Sequence, residues 1–132
     1  MRVLFDTNVW LAVLTTDGFC RYVWRTARAS CTFCGSDDIL SEIREKLRAK
    51  FGFSVRHAGL LTLFVGQQIE LVHVISVLKV CADPDDDRII AAALDGGCSV
   101  LVTGDAALLP LKRFQTVDVV TPRQFGEYVS MR

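Results

Sequence analysis

Net charge is what this chain lacks first: its 15 Lys and Arg side chains balance 15 Asp and Glu. Composition therefore announces no polyanionic partner, and only the placement of charge can argue for one. Long apolar runs are missing too, and no stretch approaches the length of a membrane span. The opening MRVLFDTNVW has no basic leader and no small-residue cleavage site, and Asp6 interrupts its apolar run. No signal peptide is expected, which makes the cytoplasm the expected compartment and leaves no membrane partner. Histidine is scarce: His57 and His73 have no partner at ligand spacing and read as surface or packing residues.

Five cysteines are an odd number, which argues against a disulfide framework. Cys31 and Cys34 form a CxxC, but they fall in the strand-like SCTFCG, where side chains three apart point to opposite faces. No second CxxC or histidine pair completes a zinc site, so they read as small buried hydrophobes. The sequence also has no internal repeat, low-complexity tract or long linker.

What is abundant is apolar residue, at 51% with a mean hydropathy of +0.33. That level suits a sheet covered on both faces, and 132 residues suit one domain spanning 1–132. RVLF, CTFCG, IELVHV, SVLVTGD and VDVV read as strands. FCRYVWRTARAS, SDDILSEIREKLRAKF, SVRHAGLLTLFVGQQ, RIIAAAL and TPRQFGEYV read as helices between and after them. Ser36 caps the second of these, Pro84 and the aspartates open the fourth, and Thr121 with Pro122 opens the last. DTN after the first strand reads as a polar turn, and ALLPL as a short helical turn. Strands separated by helices imply parallel pairing and right-handed crossovers. The expected fold is a three-layer α/β/α sandwich around a parallel sheet of about five strands, ordered 3-2-1-4-5.

In such a sheet, ligands bind beyond the carboxyl ends of the strands, where strand order reverses. Asp6 follows the first strand and Asp105 the fourth, so both are expected at that point. Asp87 opens a helix that starts at the same rim. Glu42 lies about 60° beyond Ile39, on the edge of its helix's apolar stripe, whereas Glu45 points nearly opposite the stripe. Carboxylates that converge in a crevice need a counter-charge. An all-oxygen donor set suits Mg²⁺ or Mn²⁺, and the chemistry that follows is hydrolysis of a phosphodiester.

The motifs LFDTNVW, SDDILSEIREKL, DPDDDRIIAAAL, VLVTGDAALLPL and VVTPRQF, in this order and spacing, resemble the PIN domain family. The likeness is closest to the toxin components of prokaryotic toxin–antitoxin pairs, and it covers essentially the whole chain. The resemblance implies a metal-dependent endoribonuclease whose acidic quartet falls on Asp6, Glu42, Asp87 and Asp105. It places Asn8 and Thr103 beside the site as polar neighbours. It also implies RNA as substrate, a small antitoxin as partner and a homodimer. Within ADPDDDR, Asp87 is expected to reach the metal with Asp83 in reserve, while Asp85 and Asp86 serve the helix dipole and solvent.

Each of these residues also has a structural reading. Asp6 can start an Asx-turn, Asp105 can cap the next turn, and Glu42 can pair with Lys46 at i,i+4. Arg21, Arg25 and Arg28, and likewise Arg44, Lys46, Arg48 and Lys50, read as solvated helix faces or as contacts to RNA phosphates. Trp10 and Trp24 read as core or interface residues rather than base-stacking platforms. Two other functions remain open. One is a non-catalytic PIN-like module that binds RNA or protein. The other is a receiver-like phosphoacceptor domain, which would need an acid ending the third strand and a lysine ending the fifth.

Overall fold

The architecture follows from where the apolar runs sit. In a computed structural model describing residues 1–130, the strands are β1 (Arg2–Phe5), β2 (Thr32–Gly35), β3 (Ile69–Leu71), β4 (Val100–Val102), β5 (Arg113–Phe114) and β6 (Val117–Val120). They form one sheet ordered β3-β2-β1-β4-β6-β5. All neighbours are parallel except β5, which pairs antiparallel with β6. The expected order is thus present, with VDVV as β6 and a two-residue edge strand added beyond it. That addition arises because Lys112 and Gln115 take positive φ and fold RF back as a hairpin, a turn that the sequence does not advertise with glycine or asparagine.

The helices are α1 (Thr7–Thr15), α2 (Phe19–Ala27), α3 (Asp37–Ala49), α4 (Val55–Gln68), α5 (Pro84–Asp95) and α6 (Pro122–Ser130). The expected polar turn at DTN is instead the start of α1, because Asp6 caps the helix directly as the strand ends. Thr121 and Gln124 cap α6 reciprocally, each side chain accepting from the other's amide at 3.1 and 2.8 Å. ALLPL contains a short 3-10 helix at Leu109–Leu111.

Phe5, Trp10 and Phe125 are fully buried. Phe5 stacks edge-on with Phe33 at 4.9 Å and lies 5.2 Å from Trp10, which joins β1, β2 and α1. Removing such a ring costs about 3–5 kcal/mol, because the layers cannot close over the hole. Trp10 and Trp24 are core residues, as their apolar surroundings suggested. Cys34 and Cys98 are buried and Cys31 is half-buried just ahead of β2; all five cysteines are free thiols. Gly35 ends β2 where a Cβ would stand 2.6 Å from the Ile69 side chain, so β3 packs against bare backbone there.

Between β3 and α5 the chain runs without regular structure through residues 72–83. Residues 75–81 of this stretch lie as a strap, tied at two points to carboxylates of α5. Asp95 accepts from the amides of Ile75 (2.7 Å) and Ser76 (2.8 Å), and Asp87 from those of Val80 (2.9 Å) and Cys81 (2.7 Å).

Candidate active site: an acidic crevice at the strand ends

The crevice starts from strand register. Phe5 of β1 is paired with Val102 of β4, so the next residues, Asp6 and Thr103, emerge side by side at the carboxyl edge. The Asp6 amide still donates to the Val102 carbonyl at 3.0 Å, and the Thr103 amide to Val120 at 2.9 Å. Both side chains are buried. The Thr103 hydroxyl donates to Asp6 Oδ2 at 2.7 Å and accepts from the Asp105 amide at 3.0 Å. Thr103 therefore fixes the two strand-end aspartates relative to each other. Asp6 Oδ1 accepts from the Thr7 amide at 2.6 Å, and Asp105 Oδ1 from the Ala107 amide at 2.8 Å. Asp6 and Asp105 both cap through Oδ1 and both line the crevice, with the second oxygen of Asp6 taken by Thr103.

Helix α3 supplies the opposite wall. Ser36 caps it, accepting from the Ile39 amide at 3.3 Å, and the helix carries Glu42 to the crevice edge. Glu42 Oε1 lies 3.3 Å from Lys46 Nζ, which also donates to Asn8 Oδ1 at 3.4 Å. Glu45, expected to point away, lines the same crevice. Asn8 reaches it from the first turn of α1.

The third wall is the start of α5, and here the structure corrects the expectation. Asp87 does not face the crevice. Its Oδ1 is occupied by the strap amides of Val80 and Cys81, and its side chain lines a separate cleft with Val74–Leu78. The Cys81 amide, followed by that of Val80, holds the Asp87 carboxyl below the usual aspartate range. The crevice is lined instead by Asp86, together with Asp83 and Asp85 at its rim. Asp83 is the N-cap of α5, accepting from the Asp85 amide at 2.9 Å, and Asp85 pairs with Arg88. Asp86 is therefore the carboxylate of this run that meets Asp105 without a cation of its own.

Helical position alone separates the two only weakly, since Asp86 also has the buried Ile90 and Ala93 at i+4 and i+7. In a helix, Asp87 shares a face with Ile90, Ala91 and Leu94, the first two buried. Asp86 shares one with Ile89, the half-buried residue that lines the crevice.

The crevice encloses about 370 Å³, with Asp6, Glu42, Glu45, Asp83, Asp85, Asp86 and Asp105 facing a single ammonium, that of Lys46. The electrostatic consequence is visible in two groups. Burial, with the Glu42 and Asp105 charges, pushes the Asp6 carboxyl up against the opposing hydrogen bonds from Thr103 and Thr7. Burial and the adjacent Asp105, within hydrogen-bonding reach, then Asp83 and Asp6, push Asp86 up to about 6. Among the described residues, no three His, Cys, Asp or Glu side chains form a ready-made cage for a metal ion.

The basic candidates scatter. Arg21 donates to the Val13 and Leu14 carbonyls at 2.8 and 3.2 Å, closing the end of α1, so it is neither a solvated charge nor a free phosphate contact. The Arg28 guanidinium lies 5.1 Å from the Trp24 ring. Arg25 is exposed on α2, and Arg44 borders a groove between α3 and α4. Only Lys46 among these borders the crevice.

A family model described as "PIN domain" matches residues 2–107, from β1 through the turn after β4. The chain belongs to the PIN domain family. PIN domains are generally nucleases, and every wall of the crevice lies within the matched segment. Two solved structures share the PIN fold of this chain. One, titled as VapBC2 from Rickettsia felis bound to a DNA fragment from their promoter, has a TM-score of 0.68 at 12% identity, covering 92% of this chain and 98% of that one. The other, PAE2754 from Pyrobaculum aerophilum, also has a TM-score of 0.68, at 17% identity, covering 100% of this chain and 91% of that one. Among curated proteins none matches the chain. Among the described residues no helix is long and apolar enough to cross a membrane.

Proposed function

We propose that this PIN domain is a divalent-metal-dependent endoribonuclease, acting in the cytoplasm as the toxin of a toxin–antitoxin pair. The observation that carries the reading is the convergence of Asp6, Asp86 and Asp105, fixed by Thr103 and unneutralised by any cation but the distant partner of Glu42. The donor set fits Mg²⁺ or Mn²⁺: carboxylates and an amide line the crevice, with no thiol or imidazole. Asp6, Asp86 and Asp105 are the residues that would hold the ion, with Glu42 at the edge. When bound, such an ion supplies the positive charge that draws in a phosphodiester and stabilises charge developing on it.

The chain's own residues do the rest. Thr103 orients Asp6 and Asp105, so the donor geometry is set before substrate arrives. Asp83 and Asp85, held by the helix start and Arg88, add negative potential that repels polyanions unless the ion is present. That repulsion makes cleavage conditional on metal. Asn8 and Lys46 form the rim that a phosphate would meet first. The antitoxin and the homodimer are inferred from the family likeness, and the likeness in fold to VapBC2 from Rickettsia felis supports the antitoxin.

The test is RNA cleavage by the purified chain, abolished by EDTA and restored by Mn²⁺, and lost in Asp6→Asn and Asp105→Asn. Cleavage that survives both substitutions overturns the proposal. The missing cage gives one reason to keep a binding-only PIN module as a second reading. Calorimetric Mn²⁺ titration separates them, because a module gives no heat that Asp105→Asn abolishes.

A further inference from the structure

We infer that Lys46 is the crevice's resident second cation, and that its ammonium limits the site to one divalent ion. The inference rests on the metal-dependent reading above and specifies how many ions the site takes. Seven carboxylates line the crevice, but they are not equivalent. Asp85 is paired with Arg88, and Asp83 is spent on capping α5. Asp6, Asp86 and Asp105 meet where the strand ends face the start of α5, and Glu45 lies on α3 with Glu42. Glu42 faces Asp6 from the α3 wall, and its Oε1 is already matched by Lys46 Nζ at 3.3 Å.

The ammonium is held from two sides. Besides Glu42 it contacts Asn8 Oδ1 at 3.4 Å, so it bridges α3 to α1 across the mouth of the crevice. Asn8 follows Asp6 by two residues, which ties the ammonium's position to the wall that carries Asp6. Both partners of Lys46 are oxygen atoms that a hard divalent ion would otherwise take as ligands. An ion binding at Glu42 must therefore displace Lys46 or sit against it, with like charges opposed at short range. The three aspartates offer no such obstacle. Two-metal phosphodiester chemistry uses ions about 3.5–4 Å apart, one for the attacking and one for the leaving oxygen. Here the Lys46 ammonium takes the Glu42 and Asn8 oxygens that a second ion on that wall would use.

Isothermal titration calorimetry of the full chain with Mn²⁺ tests this, alongside Lys46→Met, Lys46→Arg and the double variant Lys46→Met/Glu42→Gln. The native chain and Lys46→Arg should take one Mn²⁺ per chain. Lys46→Met should take two, and the double variant should return to one because Glu42 is the ligand released. Thermal melts without metal verify that each variant is folded. A native stoichiometry of two, or a Lys46→Met stoichiometry unchanged at one, overturns the inference while leaving metal binding intact. Absence of Mn²⁺ binding in the native chain and in Lys46→Met alike overturns the metal-dependent reading itself, and this inference with it.

Discussion

Asp86 and Asp87 are consecutive residues at the start of one helix, yet their carboxyls are driven in opposite directions. Asp86 faces the crevice, where burial and Asp105 push it up to about 6. Asp87 faces the strap, where two backbone amides pull it down. The helix N-terminus is common to both, so its dipole cannot explain the difference. What separates them is the partner: N–H donors on one side, like charges on the other. The strap side of α5 is built for stability and the crevice side against it. Carboxyls raised by one another in a cleft mark a candidate functional site, and a fully hydrogen-bonded aspartate marks a structural tie.

The largest expected effect separates the two sides by activity. Asp86→Asn should reduce metal-dependent RNA cleavage by about 100-fold or more, since it removes a carboxylate from the set facing Asp105. Asp87→Asn should leave cleavage within about threefold of the native rate at a temperature where the variant is folded. Initial rates on a fluorescent RNA at saturating Mn²⁺ measure both. The reverse ranking would return the active role to Asp87 and break the assignment made from the side-chain directions.

The next effect is on the strap, where the ranking inverts. Asp87→Ala leaves the Val80 and Cys81 amides without their acceptor and should lower the thermal midpoint by several degrees. It should also expose the 72–83 segment to limited proteolysis, while Asp86→Ala leaves it resistant. Cleavage sites mapped by mass spectrometry decide whether the lost stability is local to the strap.

Smaller again is the stability released on the crevice side. A carboxyl whose folded pKa of about 6 lies above its ordinary 3.8 disfavours the folded state at every pH above that window. The penalty is full above pH 6, shrinks as pH falls towards 3.8, and is gone below it. After discounting for partial exposure, it amounts to about 1 kcal/mol. Asp86→Asn should therefore raise the metal-free midpoint by a few degrees at pH 7 and leave it unchanged below pH 4. Mn²⁺ should stabilise the native chain at pH 7 and do so much less for Asp86→Asn. A destabilised Asp86→Asn at pH 7 would show that Asp86 is held by favourable contacts.

How far the sequence spoke for these features differs from element to element. Apolar runs flanked by polar residues marked β1, β2, β4 and β6, and their parallel order followed from the intervening helices. The edge pair β5–β6 was illegible because its turn uses Lys112 and Gln115 at positive φ rather than glycine. Helix α1 was hidden because VWLAVL is apolar all round, leaving no period to separate helix from strand. At the site, Asp6 and Asp105 were legible because strand ends fix position within a residue, whereas Thr103 came only from the family resemblance. Glu42 followed from its place beside an apolar stripe. The helix-start aspartates were harder, since at 100° per residue neighbours point to different walls. Only the strap, which has no pattern of its own, decides which wall Asp87 meets. Arg21 shows the same limit: its helical face is polar, but its partners are carbonyls ending another helix.

The finest contrast is within the strap itself. Asp95 ties Ile75 and Ser76, and its carboxyl is held down chiefly by Ser76, through the hydroxyl and then the amide. Asp87 ties Val80 and Cys81, five residues further along. Both carboxyls lie below their ordinary 3.8 in the folded chain. Their stabilisation is therefore complete above that value and is lost as pH falls from it towards the depressed folded pKa. Hydrogen exchange corrected for intrinsic rates should show strap amides losing protection over that range, while the buried amides of β1 and β4 keep theirs. At neutral pH, Asp95→Asn should reduce protection at Ile75 and Ser76 by a few-fold and leave Val80 and Cys81 protected. Equal loss at all four amides would mean that the two ties open as one unit, and that Asp87 anchors the strap only while Asp95 holds.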